Sequence, residues 1–103
     1  MNNFGIVETV FNELILLFSQ NPNIEKAALF GSRAMGKFKD GSDIDIALFG
    51  ENITLNDQLD LSIKLEKLGY PYTYDFQIHK NIKDKNMLDH IERIGIVIYQ
   101  KAS

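Results

Sequence analysis

The segment Ser42-Asp43-Ile44-Asp45-Ile46 sets two carboxylates two residues apart, in a stretch from Asp43 to Phe49 that alternates acid and aliphatic residues. That alternation is the period of a strand. Asp43 and Asp45 then project to one face, and Ile44, Ile46 and Leu48 to the opposite, buried one. Two carboxylates held this close repel, and without a cation one of them tends to stay protonated. Divalent ions remove that cost and turn the pair into a binding site. An all-oxygen ligand set in a chain without Cys favours Mg²⁺ or Mn²⁺. An isolated Asp-x-Asp is more often just a solvated strand edge, so its neighbours decide.

Two neighbours bear on it. Gly31-Ser32 follows the apolar run Ala27-Ala28-Leu29-Phe30 and opens a helical turn. Glycine lets a phosphate approach the backbone, and a serine hydroxyl with adjacent amides can donate to it. A tight turn with an ordinary Ser cap explains the same residues. The second neighbour is Asp75, in Tyr72-Thr73-Tyr74-Asp75-Phe76-Gln77-Ile78. Alternation puts Tyr72, Tyr74, Phe76 and Ile78 on a core face and Asp75 with Thr73 and Gln77 on the other. An acid among apolar neighbours on an aromatic strand is unusual. It is explained if this strand lies beside Asp43 and Asp45 and completes their ligand set.

The elements that must position these residues follow from periodicity. Asn2 to Gln20 reads as a helix through Ile6, Val7, Val10, Phe11, Leu14, Leu17 and Phe18. Asn21, Pro22 and Asn23 stop it. Ile24 to Phe30 is a strand, Ser32 to Lys37 a short helix, and Phe38 to Ser42 a loop. Asp43 to Phe49 is a strand, and Leu55 to Leu68 a helix ended by Gly69 and Pro71. Tyr72 to His79 is a strand, Asp84 to Ile94 a helix, and Ile96 to Tyr99 a closing strand. The order α-β-(α)-β-α-β-α-β predicts an α/β (α+β) sandwich, a mixed sheet of about four strands covered by helices.

Length and composition set limits. A chain of 103 residues with formal charge −3 is expected to form one domain, residues 1–103. It is too short for an α/β barrel or a dinucleotide enzyme with its own substrate domain. The absence of Cys excludes disulfide scaffolds, zinc thiolates and thiol nucleophiles, and fits a cytoplasmic location. The apolar run Leu14 to Phe18 is too short to span a membrane, and no signal peptide is expected. A pI of about 5.2 argues against a general nucleic-acid binder. Asp43, Asp45 and Asp75 alone carry as much negative charge as the whole chain does net.

Other candidates carry less. His79 and His90 have no partner at metal-ligand spacing. Lys37 and Lys39 read as a solvated loop rather than phosphate contacts. Tyr72 and Tyr74 read as core rather than a base-stacking platform. The first helix is apolar beyond one face, at Ile15 and Leu16, which suits either a sandwiched helix or contact with another subunit.

Taken together, Gly31-Ser32-Arg33-Ala34-Met35-Gly36, then Ser42-Asp43-Ile44-Asp45-Ile46-Ala47, then Asp75 on a later hydrophobic strand resemble the DNA polymerase β-like nucleotidyltransferase superfamily. The likeness is closest to its minimal nucleotidyltransferases and extends to Gly95–Tyr99, with no departure within the motif. The resemblance implies a nucleotidyltransferase fold and two Mg²⁺ ions (or Mn²⁺) held by Asp43, Asp45 and Asp75, with Asp75 also helping to deprotonate the attacking hydroxyl. It implies that Gly31 and Ser32 hold the β- and γ-phosphates, with Ser42 beside them. Arg33 would contact phosphate or orient an Asp through an ion pair. It further implies transfer of a nucleoside monophosphate, AMP from ATP, to a hydroxyl acceptor. Relatives of this kind pair with small helical HEPN-type proteins as antitoxins, and the acceptor is expected on that partner, in a homo- or hetero-oligomer. The alternative is a transferase-like module that neutralises its partner by contact alone.

Overall fold

The computed structural model describes residues 2–102. The elements run α1 (Glu8–Gln20), β1 (Lys26–Phe30), α2 (Gly31–Ala34), β2 (Ile44–Phe49), α3 (Leu55–Glu66), β3 (Tyr74–Ile78), a 3-10 turn (His79–Asn81), α4 (Lys85–Ile94) and β4 (Ile96–Gln100). The strands form one mixed sheet in the order β3-β2-β1-β4. β1 is antiparallel to both β2 and β4, and β2 is parallel to β3. The expected α+β architecture is therefore the observed one.

The two faces of the sheet differ as the alternation requires. Ala27, Leu29, Ile44, Ile46, Leu48, Phe76 and Ile78 join the main core with Val10, Leu14 and Phe18 of α1 and Leu61 and Leu65 of α3. On the other face a smaller cluster of Phe30, Ala47 and Ile91 is closed by Phe49, Ile82 and Met87. α4 thus covers the face that carries Asp45 and Asp75. α3 starts with a capping box, in which Thr54 Oγ1 accepts the Asp57 N–H and the Asp57 carboxylate accepts the Thr54 N–H. That carboxylate also accepts from Asn21 and Asn23, tying the end of α1 to the start of α3. Leu61 and Leu65 face inward, whereas Leu55, Leu59 and Ile63 are exposed on a second line of α3. On α1, Ile15 packs against the core, but Leu16 is exposed.

One expectation about an element is corrected. The first helix begins at Glu8 and not at Asn2. Gly5 sits at φ 70°, which no helix accommodates, and a Cβ there would strike the Phe38 ring. The Asn2 side chain instead closes a turn, its Oδ1 accepting the N–H groups of Phe4 and Ile6. Ile6 is still fully buried, so the apolar periodicity placed its side chain in the core although the backbone there is not helical. No helix among the described residues is long and apolar enough to cross a membrane.

Candidate functional site

Asp45 is the centre of the site. Across the antiparallel pairing it stands opposite Phe30, and across the parallel pairing opposite Asp75. The end of β1 and the beginnings of β2 and β3 therefore meet at one carboxylate. Asp43 lies just ahead of β2, exposed. Ile44 and Ile46 point away into the core, which aims the acids at the opposite face.

This crowding has an electrostatic cost. The Asp45 carboxyl is pushed up to about 6, first by burial, then by Asp75 and by Asp43, against a smaller lowering by Arg33. Asp75 Oδ1 accepts from the Gln77 amide at 2.9 Å. Among the described residues no three acidic or imidazole groups close into a metal cluster. Asp43, Asp45 and Asp75 share a neighbourhood without enclosing a point. That is compatible with Mg²⁺, which binds through one or two carboxylates plus substrate phosphates rather than in an all-protein cage. The surplus negative charge registered at Asp45 is what such a cation would neutralise, so the donor set fits a hard divalent ion.

Gly31 abuts this carboxylate. It adopts φ 74°, and a Cβ there would collide with Asp45 Oδ2. Only glycine combines that conformation with that proximity. Its N–H donates to His90 Nε2 at 3.0 Å. Ser32 is the next residue of the turn and is partly exposed.

Arg33 and Ser42 are joined to each other ahead of β2. Arg33 is 3% exposed, and its guanidinium donates to three carbonyls. Nη2 and Nε share Ser42 O at 2.8 and 3.3 Å, and Nη1 reaches Phe4 O at 2.8 Å and Gly5 O at 3.3 Å. The rings of Phe38 and Tyr72 lie within 5.4 Å of its Cζ. Arg33 thus holds the chain entering β2 against residues 4 and 5, and acts on Asp45 only through its field. Ser42 Oγ accepts the Lys39 N–H at 2.8 Å, closing the loop before Asp43. A buried guanidinium spends its donors on the carbonyls that surround it, and Arg33 does so here.

Lys37 and Lys39 are exposed, as a solvated loop should be. Tyr72 and Tyr74 pack against the main core. His79 stacks on Phe49 at 4.2 Å, away from the acids, while His90 reaches Gly31. Gln77 and His90 are the site neighbours that the pattern of residues did not single out. Gln77 was legible only as a face-mate of Asp75. His90 touches a residue 59 positions away, a contact that no local period encodes.

The polymerase β nucleotidyltransferase family model matches residues 12–103. The chain belongs to that family. The fold of this nucleotidyltransferase domain is shared with solved structures at low identity. A chain from a toxin–antitoxin complex with AMP-PNP is 22% identical with TM-score 0.73, over 88% of this chain and 73% of that one. A chain from the Shewanella oneidensis complex of a tri-AMPylated HEPN toxin with an MNT antitoxin is 18% identical with TM-score 0.67, over 93% and 74%. A nucleotidyltransferase structure from Sulfolobus solfataricus is 20% identical with TM-score 0.55, over 96% and 84%. Among curated proteins none matches the chain significantly.

Proposed function

We propose that this nucleotidyltransferase domain moves AMP from ATP to a hydroxyl on a small helical HEPN-type partner, and that it acts as that partner's antitoxin. One observation carries the reading. In a polymerase β nucleotidyltransferase domain, Asp45 stands in register with Asp75 and directly against Gly31. Acidic ligands and a phosphate-admitting turn are thereby side by side. The structural relatives supply the direction, since one complex contains AMP-PNP and another an AMPylated HEPN toxin.

In this reading Asp43 and Asp45 hold divalent ions, Mg²⁺ by donor chemistry, and Asp75 is the third ligand. Ions held by these residues would supply charge neutralisation for the triphosphate and a lowered pKa for the attacking hydroxyl. Gly31 admits the phosphates close to the backbone, and the Ser32 hydroxyl donates to them. In the same reading Asp75 accepts the proton of the acceptor hydroxyl, which the Gln77 amide donating to its Oδ1 supports by restraining the carboxylate. The acceptor oxygen bonds to the α-phosphorus, the bond to the β-phosphate bridge breaks, and pyrophosphate leaves. Arg33 does no chemistry, but it fixes the chain leading into Asp43 and Asp45. The domain is taken as the whole of residues 1–103, and the acceptor surface as the partner's.

Intact-mass measurement of the partner tests this. After incubation with the domain, ATP and Mg²⁺, the partner should gain one or more adenylyl groups. Chelation of divalent ions should abolish the gain. An unchanged partner mass with ATP and Mg²⁺ present would contradict the proposal.

A further inference from the structure

Helix α4 reaches the Gly31 turn through one side chain. His90 Nε2 accepts the Gly31 N–H at 3.0 Å. An acceptor nitrogen carries a free lone pair, so the imidazole is neutral in this bond, with its proton on Nδ1. The ring is oriented by Phe30, whose own ring meets it edge-on at 6.0 Å and 78°. Phe30 is buried and stands in register with Asp45. His90, Phe30, Gly31 and Asp45 therefore form one contiguous chain of contacts from α4 to the carboxylate. Gly31 is its least replaceable link, because its φ of 74° and its closeness to Asp45 admit no Cβ.

A glycine in that conformation has little of its own to hold it there. The hydrogen bond from α4 supplies the restraint. It also commits the Gly31 N–H, so that this amide faces His90. We propose that His90 is a positioning residue of the nucleotide site. It fixes the Gly31 peptide so that the turn keeps its distance from Asp45 and presents Ser32 to the phosphates. The inference rests on the reading of this site as a nucleotidyl-transfer site. It assigns to α4 a part in donor binding beyond covering the sheet.

Two variants separate this role from plain support of the fold. His90→Phe keeps a ring against Phe30 but removes the acceptor, whereas His90→Gln restores a carbonyl oxygen acceptor. Each is measured for its affinity for AMP-PNP with Mg²⁺ by calorimetry, and for the Gly31 amide resonance by NMR. His90→Phe should weaken AMP-PNP binding about 5- to 10-fold, the worth of one hydrogen bond. It should also shift the Gly31 amide. His90→Gln should recover most of the affinity and the native amide position. If His90→Phe does not fold, His90→Ala, which also lacks the acceptor, takes its place: weakened affinity with a shifted Gly31 amide supports the assignment, and native affinity with the amide in place overturns it. Unchanged affinity in a folded His90→Phe overturns it as well, with the nucleotide site left standing. Failure of the wild-type chain to bind AMP-PNP with Mg²⁺ overturns the site reading itself, and this inference with it.

Discussion

Asp45 concentrates the electrostatics of the site, and its titration gives a test at the scale of one residue. Its carboxyl is raised from an ordinary 3.8 to about 6 in the folded chain, so the folded state binds this proton more tightly than the unfolded state. Stability from this group is then present below about pH 4 and lost as pH rises through about 6. In chelator, the melting temperature should fall across that window, and Asp45→Asn should flatten the fall. Mg²⁺ should restore stability to the wild type at pH 7 and leave Asp45→Asn unchanged. A pH profile that the substitution does not alter would contradict the crowding of Asp43, Asp45 and Asp75. The acids were legible in the sequence because a two-residue period assigns faces without reference to anything distant. The same period placed Asp75 with Thr73 and Gln77, away from Tyr74 and Phe76. The contacts of Arg33 were not legible, because its partners are backbone carbonyls of residues 4, 5 and 42, and carbonyls carry no sequence signature.

At the scale of elements, the entry to β2 is held by Arg33 and by the turn of residues 2 to 7. Lysine cannot reproduce a planar fork that serves three carbonyls. Arg33→Lys should therefore cost about 2 kcal/mol, read as a lower urea midpoint with an unchanged slope. Faster amide exchange around Val7, whose N–H is accepted by Tyr72 Oη at 3.0 Å, should accompany it. β3 offers the opposite case. The Tyr74 hydroxyl is buried with no hydrogen-bond partner among the described residues, and burial with the neighbouring Tyr72 raises its pKa. Tyr74→Phe removes a desolvated polar atom and keeps the ring stacked on Phe76 at 6.2 Å. It should leave the melting temperature unchanged or raise it, by up to about 1 kcal/mol in stability. A clear loss would mean that the hydroxyl has a partner after all. The order of elements was readable from periodicity, and the start of α1 was not. Ile6 and Val7 fit the helical stripe, but the carbonyls of Phe4 and Gly5 serve Arg33 rather than continuing a helix.

On the scale of the molecule, the sheet has two separate tasks. The face toward α1 and α3 supplies the main core, and the face toward α4 carries Asp45 and Asp75 beside a small cluster around Ala47. This division lets the acidic residues be exchanged with little loss of the main core. Asp45→Asn should therefore remain folded while losing transfer, which makes it the control for the central claim. The most direct measurement uses ATP labelled at either the α- or the γ-phosphate, with Mg²⁺ and the helical partner. Nucleotidyl transfer predicts label on the partner from the α position only, with pyrophosphate released, and none with Asp45→Asn. No α-label on the partner, with wild type and Asp45→Asn neutralising it equally, would contradict the account and leave a module that acts by contact alone.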